Sequence, residues 1–507
     1  MKKYFVYYIL ILLGTYLQAQ STYHYDSKWY IGADGYSPCR NYVELDFSES
    51  NNVVQTAIYQ DSLNITHEID FDVTSTAFYD STGNILFYTN GHQVRNKQHE
   101  IMIAGDTLVP NAYCKQYVKT GCLLPQGVLG IPVPGKSDQF YLFNEGPDRA
   151  DYPYCLKLNM STIRTNTPQG DVSPRNIPVI EDTIAYGQLT ACKHANGQDY
   201  WVIVPDWGKG FYKLLVTPTG VTQSYQRTNN FTGYIASCQT MFTPDGKQYV
   251  RVEGGQGAAV NVFVFDFDRC TGLLSHEKKI TFPLSTVTYV VGGAISPNSR
   301  MLYVASDMQI DQFDLAATDV LTSRVTVATL DTNTLDCYGN IYYYFFLGQL
   351  APNGKIYFST PFSPTNGLHV INYPDSIGAA CQAVAHGQIL FTTNVMLPNH
   401  PNYYLEALTS PCDSIGVGLA ALSVEKQAVS LSPNPASTTI ELRFAQPIAA
   451  NTSLVIYNNL GQEVAKQALP ERIQRYNADI STWTNGIYFY QITNTKQVFT
   501  GKWLINH

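Results

Sequence analysis

Between residues 22 and 412 the chain repeats one local pattern: a turn carrying Gly or Asn, then a strand rich in aromatic residues. Asp80-Ser81-Thr82-Gly83-Asn84 precedes Ile85-Leu86-Phe87-Tyr88, and Pro134-Gly135-Lys136-Ser137 leads to Phe140-Tyr141-Leu142-Phe143. Ala195-Asn196-Gly197-Gln198 and Thr243-Pro244-Asp245-Gly246 open the next repeats, followed by Ser296-Pro297-Asn298-Ser299 and Ala351-Pro352-Asn353-Gly354. Successive turns lie roughly 49 to 61 residues apart, a spacing that signals a β-propeller. Asp-Gly and Asn-Gly supply the positive φ angles of a tight hairpin, and a preceding Pro fixes the entry. The strand after each turn alternates aromatic and aliphatic residues, so both of its faces pack against neighbouring sheets. One such blade cannot bury its faces alone, and stacked blades must share a core. A helical solenoid is excluded by the lack of 3.6-residue periodicity.

These turns imply at least six blades. Trp29-Tyr30-Ile31 and Tyr42 to Phe47 at the front, with Tyr403-Tyr404-Leu405 at the back, supply strands for a seventh. About seven blades are expected, with six or eight as the alternatives. Joining N-terminal strands to a C-terminal one in a single blade would close the ring and remove its exposed edges.

Composition agrees with an all-β fold. Charged residues make up 14% and aromatics 13% of the chain, with 37 tyrosines, which suits half-buried strands. The net charge of −8 and the lack of a basic stripe argue against nucleic-acid binding. Ten cysteines are present, and none forms a C-x-x-C pair, which disfavours zinc ribbons and thioredoxin-like sites. Cys114 and Cys122 bracket one short loop and are the best disulfide candidates, the alternative being buried apolar thiols.

Lys2-Lys3, an apolar run from Tyr4 to Leu17 and then Gln18-Ala19-Gln20 describe a secretory signal peptide. Cleavage is expected after Ala19, with Gln20 as the alternative. The run is shorter than the roughly 20 residues a membrane span needs, and no transmembrane segment is expected in the mature chain. The domain plan is therefore a signal peptide at 1–19, a propeller at 22–412, a linker at 413–430 low in aromatics, and a small β-module at 431–507. Strands in that module are expected near 438–444, 453–457, 475–480, 486–493 and 497–505, a spacing that fits an Ig-like sandwich.

The module's landmarks are Leu431-Ser432-Pro433-Asn434-Pro435-Ala436, Leu454 to Gly461, and Asn485-Gly486-Ile487-Tyr488-Phe489-Tyr490 ahead of Lys502-Trp503-Leu504. On these residues it resembles the C-terminal sorting domain of the Bacteroidota type IX secretion system. That resemblance implies export to the cell surface or the medium. It also implies partnership with the secretion machinery and its sortase through residues 431–507, and removal of the module after export. The body, through Trp29-Tyr30-Ile31-Gly32, Gly83 to Gly91 and Phe265 to Gly272, resembles a group of secreted Bacteroidota propeller-like proteins. Proteins of that bacterial group are often O-glycosylated at Asp-Ser/Thr-aliphatic triplets, of which five occur here, Asp106-Thr107-Leu108 among them.

Chemistry-bearing motifs are sparse. No phosphate loop, G-x-S-x-G elbow, H-E-x-x-H helix or EF-hand loop occurs, and nothing points to a cofactor, a metal ion or a catalytic set. Glu68, Asp70 and Asp72 alternate on one strand face and form a candidate acidic surface, against the alternative of a solvated face or channel rim. Trp207, beside Gly208, is a candidate platform for stacking a sugar, whereas Trp201 reads as core. Two functions follow. One is a propeller that binds a glycan or a surface protein through rim loops or channel face. The other is a polysaccharide hydrolase or lyase with carboxylates gathered at the channel mouth.

Overall fold

The computed structural model describes residues 25–33, 41–48, 53–58, 69–71, 73–147, 154–207, 210–228, 238–254, 259–284, 291–306, 308–330, 344–360, 365–394, 396–409, 412, 429–444, 447–448, 450, 452–458, 462–493 and 498–507. The signal segment with Ala19 and Gln20, the acidic residues Glu68 and Asp72, and linker residues 413–428 lie outside them. Two compact units emerge, Met1–Cys412 and Asp413–His507.

Each sequence repeat begins a sheet in the first unit. The hairpin turn joins the first and second strands in every case: Thr76–Tyr79 to Ile85–Thr89, Val128–Pro132 to Gln139–Glu145, and Thr190–Lys193 to Tyr200–Pro205. The series continues with Cys238–Phe242 to Gln248–Gly254, Val291–Ile295 to Met301–Ser306, and Gly348–Leu350 to Ile356–Phe358. These are blades two to seven, and blades four to seven are complete antiparallel four-stranded meanders. Lys28–Ala33, Asn41–Asp46 and Val54–Ile58 form a further three-stranded sheet, blade one.

Local chemistry explains the turns. The Asx carboxyl or amide oxygen accepts the backbone N–H two residues on at Asp80, Asn196, Asp245, Asn298 and Asn353, at 2.8–3.1 Å. This local mimicry of a backbone turn is what makes Asx residues turn formers. Ser299 holds φ +63° where the other repeats place glycine.

The two faces of each blade belong to different interfaces, as strand alternation requires. Tyr30 and Tyr42 of blade one meet Ala77, Tyr79 and Tyr88 of blade two. From the opposite face, Trp29, Ile31, Val43 and Leu45 meet Tyr357, Leu368 and Val370 of blade seven. Blades two, three and four share one core through Phe78, Phe140 and Val202. Trp201 and Phe211 pack on Tyr249 and Phe265, Val250 and Val262 on Leu302 and Val304, and Tyr303 and Ile310 on Ile356 and Phe358. Every blade thus packs against the next, and the seventh packs against the first. The body is a closed seven-bladed β-propeller.

Closure differs in detail from expectation. Tyr403-Tyr404-Leu405 is not a strand of blade one. Among the described residues the segment makes one backbone bridge, Asn402 to Cys192 of blade four. Pro398 and Pro401 lack N–H donors, and the asparagine after each, Asn399 and Asn402, bonds through its side chain, so the run cannot form a ladder. Leu397 alone joins the core between blades seven and one.

The second unit is a two-sheet sandwich. One sheet orders Val429–Ser432, Thr439–Phe444 and Arg475–Asp479, and the other orders Glu463–Leu469, Thr452–Tyr457, Gly486–Thr493 and Val498–Ile505. Trp503, Ile480, Ile492 and Leu442 are buried between them. Its first strand starts at Val429, inside the segment expected to be linker. Glu463–Leu469 was missing from the sequence reading because Glu-Val-Ala-Lys-Gln-Ala-Leu favours helix, and most of the strand is exposed.

Two glycine substitutions separate turn strain from packing. A Cβ on Gly246 (φ +70°) would meet Leu405, Arg269 and Cys192 at 2.8–3.0 Å, whereas Gly354 (φ +77°) has open space around it. Gly354→Ala is expected to cost about 1 kcal/mol through backbone strain. Gly246→Ala adds the clash and should cost roughly 1–3 kcal/mol more. Urea denaturation of the two variants measures the difference.

Candidate functional site

The inner strands of the blades surround an axis, and carboxamide side chains occupy it. Gln239 of blade five donates to the Gly348 carbonyl (2.7 Å) and accepts from the Gly293 and Gly348 N–H groups (2.8 and 3.1 Å), tying blades five, six and seven. Gln126 donates to the Thr240 carbonyl and accepts its N–H, both at 2.9 Å. Asn399 donates to the carbonyls of Val128 (2.9 Å) and Leu189 (3.0 Å), while its own N–H donates to Ser75 (3.1 Å). Gln126, Gln239 and Asn399 make the axis polar and neutral, and each is held by backbone groups of the blades.

Asn399 belongs to a tail that crosses the ring. The Tyr403 hydroxyl donates to the Gly130 carbonyl at 3.1 Å, and the Asn402 amide to Pro244 at 2.8 Å. Arg269 holds the Glu406 carbonyl at 2.7 Å, the Leu408 N–H meets Ala195, and a disulfide joins Cys412 to Cys270. The N-terminal end of the body meets this tail. Tyr25 packs edge-on to Phe140 and Tyr403, and the Tyr404 hydroxyl donates to the Asp26 carboxylate.

Beside the tail, on the side of the inner hairpin turns, lies a cavity of about 470 Å³, within the usual range for ligand pockets. Its lining combines Asp26 and Tyr404 with Met241, Phe242, Ile295 and Leu350 of blades five to seven. Burial pushes the Asp26 carboxyl up to about 6, against the lowering effect of Tyr404. His400 also lines the cavity, and burial pulls its imidazole down to about 3, so it is neutral.

The residues singled out in the sequence lie elsewhere. Asp70 is buried, accepts the Tyr42 hydroxyl at 3.1 Å and pairs with Lys119 at 3.7 Å. Trp207 is half-buried, tilted 61° against Tyr154 and packed near Ala185 and Cys238. Trp201 is core, its indole N–H donating to Arg269 at 2.9 Å. Cys114 and Cys122 are joined as a disulfide inside the core shared by blades two to four. None of these residues lines the axial cavity.

Two buried groups were invisible to sequence reading. Glu145 is pushed by burial up to about 8, against the lowering effect of the Gly187 N–H (2.7 Å) and the Cys155 thiol. Arg251 and Glu253 form a pair at 3.2 Å with side chains 1% exposed. Neither borders the cavity: Glu145 ties its strand to the Gly187 backbone, and Arg251 and Glu253 pair within one strand, Gln248–Gly254.

The geometry defines the class: a seven-bladed propeller with a tail-plugged axis, followed by a separate β-sandwich. The sandwich is the recognisable part. Residues 430–506 match the family model described as "Secretion system C-terminal sorting domain". This tail indicates export by the type IX secretion system and interaction with its machinery. No described helix is long and apolar enough to cross a membrane. Among curated proteins none matches the chain.

Three solved structures illustrate what the body is similar to. A candidate 6-phosphogluconolactonase from Bacteroides fragilis aligns at 12% identity and TM-score 0.41, covering 74% of this chain and 97% of its own. A quinonprotein alcohol dehydrogenase-like protein from Bacteroides thetaiotaomicron aligns at 12% identity and TM-score 0.34, covering 74% and 77%. The WD40 domain of SCAP from fission yeast aligns at 9% identity and TM-score 0.30, covering 85% and 83%. Likeness at this level transfers no activity.

Glu145 gives a pH signature. Its folded value of about 8 exceeds the ordinary 4.5, so the folded state holds a proton that the unfolded state has released. The stability contributed by the protonated form is complete below about pH 4.5 and is lost as pH rises to about 8. Relative to Glu145→Gln, the wild type should lose about 1.4 kcal/mol per pH unit between pH 5 and 7.5. Denaturant titrations at several pH values test this, and parallel stability curves would refute it.

Proposed function

We propose that this protein is a non-catalytic binding module, exported to the cell surface or medium, whose propeller presents the axial cavity to a protein or glycan partner. The observation that carries this reading is the chemistry of the axis. Its carboxamides Gln126, Gln239 and Asn399 are held by backbone groups, and a catalytic centre instead needs acids and bases free to exchange protons with substrate. Glycoside hydrolysis in particular requires two carboxyl groups about 5 to 9 Å apart across the scissile bond. Asp26 is the sole carboxylate among the residues lining the cavity. A rigid ring with adaptable loops and a concave centre suits recognition.

Probing arrays of polysaccharides and surface proteins with the full-length chain tests the reading. Retention of a partner without change in its chain length is expected. Release of shortened oligosaccharides would establish the hydrolase or lyase instead. Export is tested separately: deleting residues 428–507 should leave the body in the periplasm, as followed by cell fractionation and immunoblotting. Normal surface levels of the truncated chain would overturn the sorting role.

A further inference from the structure

The cavity carries one carboxylate, and among the described residues no lysine or arginine pairs with it. Asp26 is 7% exposed, and its carboxylate accepts the Tyr404 hydroxyl. A carboxylate withdrawn from water without a cation is costly, and the cost falls when a positive group enters. The rest of the wall points the same way. Among neutral polar neighbours such as Gln349 and Asn402, Met241 and Phe242 from blade five, Ile295 from blade six and Leu350 from blade seven supply an apolar stretch of lining for a flexible alkyl stem. Anionic ligands are disfavoured, because no cationic side chain lines the cavity. A hydroxyl-rich sugar would strand its polar groups against those four side chains.

We propose that the axial cavity is a recognition pocket for a lysine side chain of a partner protein, with its methylene stem on Met241, Phe242, Ile295 and Leu350 and its ammonium on the Asp26 carboxylate. This rests on the binding reading above and narrows it to one ligand chemistry. The elongated lysine side chain matches a site with one apolar stretch of wall and one acidic point. Tyr404 keeps the carboxylate oriented by donating its hydroxyl. The groups around Asp26 hold their charge state across the working range. Burial drives the phenols of Tyr403, Tyr404 and Tyr200 upward and the imidazole of His400 down to about 3. Asp26 is therefore the group in the pocket that titrates between pH 5 and 8.

Calorimetric titration of the full-length chain with Nα-acetyl-lysine methylamide and with its norleucine counterpart, which has the same backbone and no charge, decides the matter. At pH 8 the lysine probe should bind about tenfold tighter, the value of one charge-assisted hydrogen bond. That preference should shrink at pH 5, where Asp26 is protonated, and vanish in Asp26→Asn, whose folding is checked by its melting temperature. The comparison on the wild-type chain stands even if the variant fails to fold. Equal affinity for the two probes, binding of neither at millimolar concentration, or a preference for glucosamine over the lysine probe would each overturn the pocket assignment. In those cases a partner retained on the arrays would leave the broader binding role intact, whereas polysaccharide turnover would remove that role itself.

Discussion

Asn399 is a single side chain whose amide protons end on carbonyls of two different blades, while its backbone N–H reaches a third. Satisfying buried carbonyls from the axis solves a problem every small propeller has. The innermost strands converge, and their inward-facing backbone groups have no neighbouring strand to bond. Water in the channel or side chains from the ring can answer that demand. Here the answer comes from the tail and from Gln126 and Gln239. The consequence reaches the cavity, because the tail residues that close the axis also form one of its walls. Axial order and binding surface are one structure.

The blades were legible because their determinants are local. An Asx oxygen bonding two residues ahead, a left-handed residue after it and an alternating aromatic strand all fall within about ten residues of sequence. Ser299 shows how far the pattern extends, since it takes the left-handed conformation without being glycine. Blade one was legible only as leftover strands at the chain ends. Its true partner relationships depend on packing of Trp29 against Tyr357, far along the chain.

The axial site was not legible, for the opposite reason. Asn399 meets Val128 across 271 residues, and Asp26 meets Tyr404 across 378. No spacing rule links residues so remote, and carboxamides carry no motif. Reading acidity as function misled in the same way. Asp70 sits in a promising alternation, yet the fold spends it on Tyr42 and Lys119. Glu145, the acid most perturbed toward neutrality, ends an unremarkable strand, Gln139–Glu145. Perturbed acids mark function only when a cavity meets them, and Asp26 meets that condition where Glu145 does not.

The Cys270–Cys412 bond stands at the last residue of the propeller unit, its partners 142 positions apart. Any tug transmitted along the chain from the C-terminal side arrives first at Cys412. It then passes through sulfur directly into the outer turn of blade five. Residues 271–411, with the axial tail and two whole blades, stay out of the line of force. A molecule hauled or tethered by its C-terminal end can therefore bear load without its centre being drawn out.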